Sequence, residues 1–212
     1  AGAACVRSHP APAVSVVSDP AATPREKYAA SCREEALEKS GAALPSGFRI
    51  LAGVRSSALF AHAESLPDFP ARTSEAFLWK RQNNDWLIAG SDASGVLYGC
   101  LEFGRQVLAA HKLPQNQDFT DHPAFKIRGT NLFWMKQGDY DWAVTPENFP
   151  WFFDRALMLR YLDELVENGY NTIYFWNGHP FIYFLKLAQY PEAKVLNDAD
   201  LQRNMDQLQW FT

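Results

Sequence analysis

The sequence predicts an α/β protein in two parts, and three observations carry that expectation. Short β-branched and aromatic runs alternate with longer stretches of helical period. Aromatic density changes along the chain: of 30 Phe, Trp and Tyr residues, 9 lie in residues 1–118 and 21 in the shorter remainder. Between the two regions, Asp121-His122-Pro123 reads as a linker, because the residue before a proline is pushed out of the helical region. The expected organisation is an irregular Ala- and Pro-rich start over residues 1–12, an α+β domain over 13–118, and a second domain over 119–212.

In the first domain, Ala13 to Ser18 is a β-branched run suited to a strand. Thr23-Pro24 opens a helix, with Thr as N-cap, Pro at the first helical position and Glu26 in the first turn. Ala29, Cys32 and Ala36 share one side of it, and Gly41 is its stop signal. Phe48 to Arg55 is the second strand and Ser56 to Ala63 a short helix, before Pro67 and Pro70 break the chain. Glu75–Gln82 and Trp86–Ala89 flank Asn83-Asn84-Asp85, the pattern of a hairpin. A helix from Ser94 to His111 presents Val96, Leu97, Cys100, Gly104, Val107 and Leu108 on one face, and Pro114 marks its end. Such an order suits a small sheet covered by helices on one face.

In the second domain, Lys126 to Met135 reads as a buried strand carrying Arg128, Asn131 and Trp134 at intervals of three. A polar and aromatic loop to Pro150 follows. Phe152 to Asn168 has an apolar face of Phe153, Leu157, Leu162, Leu165 and Val166, and Gly169 stops the helix. Tyr170 to Trp176 is apolar on both faces, as a parallel strand covered on both sides should be. Phe181 to Leu187 is open between a short helix and a loop lining a cleft. Asn197 to Trp210 reads as a further helix. Strand, helix, strand, helix is a βαβα run with parallel strands. A closed (β/α)8 barrel takes about 250 residues and eight such units, so the run is an incomplete barrel, about a quarter of one.

Composition narrows the function classes. The hydrophobic content of 47% and charged content of 21% are those of a soluble globular protein. A net charge of −4 gives no support for a nucleic-acid partner, which would want a basic stripe. No apolar run approaches the roughly 18 residues of a membrane span. Cys5, Cys32 and Cys100 fit no metal or redox spacing, and Cys32 and Cys100 read as small buried hydrophobes. Cys5 follows Gly2-Ala3-Ala4, which loosely resembles the tail of a bacterial lipoprotein signal. The chain is therefore expected to be exported, periplasmic or extracellular, with Cys5 a candidate lipid anchor.

Parallel α/β units place functional groups at the carboxyl ends of their strands. The first strand offers Asn131, Trp134, Asp139, Tyr140, Asp141 and Trp142 there; the second offers Trp176, Asn177 and His179. Arg128 lies nearer the strand start, with a guanidinium long enough to point along a barrel interior. Aromatic faces stack on the apolar side of a pyranose, and Arg, Asn and His serve its hydroxyls. Each residue also has a plainer role. Arg128 would pair with a buried carboxylate, Trp134 and Trp176 would be core, Asn177-Gly178 a turn, His179 a loop hydrogen-bonder, and Asp139 and Asp141 a solvated loop. There is no GxSxG, P-loop, HExxH or GxGxxG, so neither cofactor nor metal is expected.

Two patches resemble a known family. Leu87 to Val107, with Gly90, Asp92, Gly95, Leu97, Tyr98 and Gly99, looks like the end of the zincin-like α/β domain that precedes the barrel in family-20 β-hexosaminidases. The α-glucuronidases carry a similar domain. Phe125 to Gly129 resembles the family's barrel entry, and Arg128 matches the arginine that holds sugar hydroxyls in the innermost subsite. The helix from Phe152 and the following Tyr170-Asn171-Thr172 resemble the first barrel helix and second strand. The resemblance spans roughly residues 13 to 196. It implies the N-terminal part of a glycoside hydrolase, with a carbohydrate substrate bound by Arg128, Asn131, Trp134, Trp176, Asn177 and His179. TNLFWM after Arg128-Gly129 lacks the hexosaminidase aspartate, which argues against an acetamido sugar. The family's Asp-Glu pair belongs to the fourth barrel strand, so the catalytic acids are expected beyond Thr212 and this chain is expected to be inactive alone. The alternative is a non-catalytic carbohydrate-binding or scaffold protein using the same aromatics. A nucleotide-binding α/β protein is a third reading, without a phosphate loop to support it.

Overall fold

The computed structural model describes residues 15–45, 47–63, 66–69, 73–137 and 142–211. The expectations for residues 1–12, for Cys5, and for Asp139, Tyr140 and Asp141 fall outside the described residues. The fold is α/β and divides into two compact units, Ala1–Ala124 and Phe125–Thr212.

In the first unit, strands β1 (Ser15–Ser18), β2 (Arg49–Val54), β3 (Phe77–Gln82), β4 (Asp85–Gly90) and β5 (Asp118–Asp121) form one sheet in the order β1-β2-β4-β3-β5. The strands β1, β2 and β4 are mutually parallel, while β3 runs antiparallel to both of its neighbours. The β3–β4 hairpin forms where the Asn-Asn-Asp turn predicts it, with Asn83 at φ 55°. Helix α1 (Pro24–Ser40) starts at a capping box in which Thr23 and Glu26 satisfy each other's backbone N–H groups, and Gly41 ends it at φ 62°. Helix α2 (Ala93–Ala110) is capped by Asp92, whose side chain accepts from Gly95 N at 2.8 Å.

The glycines of the strand-to-helix turn are there for close approach. A Cβ on Gly95 would stand 2.1 Å from Ala76 O, and one on Gly90 would stand 2.2 Å from Val96 N. A layer of Trp79, Trp86, Ile88 and Phe103 fills the space beneath α2, with Phe103 edge-on to both indoles. On the opposite face, Leu78, Leu87 and Ala89 pack against Phe60 and Leu66. The expected helix at Ser56–Ala63 is only a 3-10 turn, Ala58–Phe60. Burial pushes the Cys100 thiol up, and at 0% exposure it is a small core hydrophobe; Cys32 is half-buried.

Asp121, expected to begin the linker, instead ends β5 and pairs with Phe77. The segment Asp-Phe-Thr-Asp has no apolar alternation, so only its backbone pairing and Phe119, stacked on Trp79 at 4.5 Å, make it a strand.

The second unit holds a two-stranded parallel sheet, β6 (Gly129–Phe133) and β7 (Thr172–Trp176), in register from Gly129↔Thr172 to Phe133↔Trp176. Its helices are α3 (Pro150–Phe153), α4 (Arg155–Glu167), α5 (Phe181–Phe184) and α6 (Asp198–Phe211). The single helix expected from Phe152 is broken at Asp154, where ψ is 93° and the carboxylate caps α4 through Leu157 N at 3.0 Å. Phe181–Leu187 resolves as the single helical turn of α5.

Two burial expectations are corrected. The strand over Lys126–Met135 is shorter, and Gly129 and Asn131 are exposed rather than buried. On β7, Tyr174 is 56% and Trp176 53% exposed, so that strand is not covered on both sides. The packed face carries Trp134 and Phe175 toward a core with Phe152, Phe184 and Leu201. Apolar residues on both faces reveal what a strand can bury; they do not reveal what stands against it.

Candidate functional site

The strand period sorts the candidate residues onto two sides of the β6–β7 pair. Parallel register places Asn131 beside Tyr174 and Phe133 beside Trp176, all on the exposed side. Phe133 and Trp176 stack with centroids 5.1 Å apart and rings 30° from parallel. Together with the half-exposed Tyr174 they make an aromatic strip with the Asn131 amide at its edge. Aromatic faces beside an amide suit the alternating C–H and hydroxyl surfaces of a sugar ring.

Trp134 is on the other side. It is 1% exposed, stacked on Phe175 at 5.0 Å and 12°, and edge-on to Phe152. Phe184 lies against it as well, its ring centroid 5.0 Å away and tilted by 36°. Asn177 is 3% exposed and works as a tie between loops. Its Nδ2 donates to Trp134 O at 3.1 Å and Trp142 O at 3.3 Å, while its Oδ1 accepts from His179 N at 3.1 Å. His179 itself is exposed, held at the carboxyl end of β7 by that bond.

Arg128 stands at the opposite end of the strands. Its Nε donates to Gly169 O and its Nη1 to Phe125 O at 2.8 Å. The Arg128 backbone accepts from Asn171 N and Thr172 N, and Asn171 Oδ1 accepts from Arg128 N. The cluster fastens the entrance of β6 to that of β7. Five residues of strand separate Arg128 from Phe133, about 16 Å at 3.3 Å per residue. The structure thus brings together Asn131 and Trp176 on one face, and Asn177 and His179 in one loop. Arg128 is at the far end and Trp134 is in the core.

Residues missed from the sequence are informative. Phe133 and Tyr174 share the open strip, and strict period-2 counting from Asn131 and Trp176 would have found them. Lys136 lies just past β6 with its ammonium 4.5 Å from the Trp142 ring centroid and 3.4 Å from Asn148 Oδ1. A lone lysine after a strand gives no sequence signal for such a contact. Asn204 of α6 is 1% exposed and donates to Val144 O and Tyr183 O, closing the loops onto the helix. Among the described residues no group of three His, Cys, Asp or Glu side chains is placed to hold a metal ion, and no helix is long and apolar enough to cross a membrane.

No protein-family model and no curated protein matches the chain. Among solved structures it is similar to a GH138 enzyme targeting pectin rhamnogalacturonan II. The two share 28% identity and a TM-score of 0.76 over 94% of this chain and 23% of that one. It is also similar to BtGH115A, a GH115 4-O-methyl-α-glucuronidase with specificity for decorated arabinogalactans, at 16% identity and a TM-score of 0.53 over 90% of this chain and 27% of that one. CpGH84B gives 13% identity and a TM-score of 0.50 over 93% of this chain and 38% of that one. The latter two likenesses concern the fold alone. All three are glycoside hydrolases, and the chain spans between about a quarter and two fifths of their lengths.

Proposed function

We propose that this chain is the N-terminal part of an exported glycoside hydrolase: an accessory α/β domain followed by the first strands and helices of a (β/α)8 catalytic barrel. The observation that carries the reading is the likeness to the GH138 enzyme, at 28% identity over 94% of the chain. From that enzyme's stated target we take a pectic oligosaccharide as the substrate class. In this reading Trp176, stacked on Phe133, offers a sugar platform, with Asn131 and His179 as its polar partners. Arg128, Trp134 and Asn177 hold the scaffold beneath it. Glycoside hydrolysis needs an acid and a base or nucleophile, usually a carboxyl pair flanking the scissile bond. We place that pair on later barrel strands, outside these 212 residues.

The test is a graft. Residues 15–211 replace the matched segment of the GH138 enzyme, and release of reducing sugar from rhamnogalacturonan II is measured. Turnover by the graft is expected, with Trp176→Ala raising KM more than it lowers kcat. A folded graft that hydrolyses nothing under conditions where its parent does would refute the proposal. The 212-residue chain alone should leave aryl glycosides intact; robust turnover would sink the fragment reading.

A further inference from the structure

The second unit contains a cavity that the glycosidase reading does not use. It measures about 270 Å³ and lies between α5, the segment Leu185–Lys194 and the first turns of α6. Its walls are apolar, formed chiefly by Ile182, Leu187, Tyr190 and Leu201. Leu187 and Tyr190 remain 37% and 58% exposed, which is costly surface for a loop that could have turned polar residues outward. At just under the roughly 300 Å³ of the smallest drug-sized sites, the cavity suits a ligand of one ring.

Charge decides which kind. Lys186, Lys194 and Asp198 also line the cavity. Lys194 Nζ pairs with Asp198 Oδ1 at 2.9 Å. Lys186 is exposed and acts on Asp198 through space, but no carboxylate among the described residues forms an ion pair with it. Two ammonium groups and one carboxylate leave a surplus of one positive charge beside an apolar wall. A hydrophobic body with a single negative charge matches both features.

We propose that this cavity binds a small monocarboxylate with a flat apolar body, such as an aryl carboxylate, with the ring against Tyr190 and Leu187 and the carboxylate at Lys186. The proposal stands independently of the barrel reading, because it uses no residue of the β6–β7 strip.

Benzoate is a sufficient probe. Titrating the whole chain with it, followed by amide chemical shifts, should give saturable changes confined to residues 182–201 in the low-millimolar range, as a ligand of about nine non-hydrogen atoms implies. Benzamide, the neutral isostere, should bind about fivefold more weakly, and Lys186→Ala should bring benzoate down to the benzamide level. Leu187→Asp, at a half-exposed position, should abolish binding of both while leaving the circular dichroism spectrum unchanged. Benzamide binding as well as benzoate, an unchanged benzoate affinity in Lys186→Ala, or shifts scattered over the chain would each overturn the proposal.

Discussion

Replacing Trp134 and Trp176 in turn separates a core residue from a surface platform. Trp134 is 1% exposed, so truncation to alanine removes about 200 Å² of buried side chain, worth about 5 kcal/mol at 25 cal/mol/Å². That agrees with the range of about 3–5 kcal/mol for large-to-small changes in cores. Trp176 is 53% exposed, so about half as much area is at stake, with an upper bound of about 2.5 kcal/mol. Its stack on Phe133 is already within that figure apart from about 1 kcal/mol of ring geometry. The two substitutions should therefore differ by about 2 kcal/mol or more. Because the chain has two compact units, a single unfolding midpoint is not a defined quantity, and the assay is native-state hydrogen exchange of the β6 and β7 amides. The Trp134→Ala variant should lose most of its protection there, and Trp176→Ala only a part. Equal losses would refute the assignment of one indole to the core and the other to an open face.

Three further outcomes follow from the same geometry. Gly95→Ala puts a methyl group 2.1 Å from Ala76 O and should destabilise the first unit by about 3 kcal/mol, read as lost protection in β3 and β4 with β6 unaffected. Arg128→Ala removes two donors from backbone carbonyls and should cost about 1–3 kcal/mol in the second unit, and Arg128→Lys should rescue little because the fork is lost. The hydrogen bond and charge of Lys194 hold the Asp198 carboxyl below its ordinary value, so its contribution is fully present above about pH 4 and lost as pH falls through the lower folded value. A carboxyl NMR titration should give that lowered midpoint, and Lys194→Ala should move it back up.

The first unit was legible because its signals are local. Thr23-Pro24 with Glu26, the Asn-Asn-Asp turn and the Gly90–Gly95 turn each specify backbone geometry within a few residues, and each produces its element. The strand β5 was not legible, since Asp118–Asp121 is made a strand by pairing with β3, about forty residues earlier, and by one phenylalanine on an indole. The break at Asp154 escaped for a related reason. The apolar period runs through it, but an aspartate near the start of that run caps the next helix more favourably than it continues the last.

For the site, residue type was readable and side was not. A sequence says that Arg128, Trp134, Trp176 and Asn177 have chemistry to offer; the fold decides which of that chemistry is already spent. The Arg128 guanidinium serves Gly169 O and Phe125 O, and the Asn177 amide serves Trp134 O, Trp142 O and His179 N. A side chain whose donors and acceptors are satisfied within the fold must break those bonds to meet a ligand, at about 1 kcal/mol or more for each. Asn131, Trp176 and His179 carry no such cost for the surfaces they expose. A sugar approaching the β6–β7 pair would therefore meet the Phe133–Trp176 stack before any of the buried groups, which makes Trp176→Ala in the graft the sharper test of sugar contact and Arg128→Ala the sharper test of the scaffold.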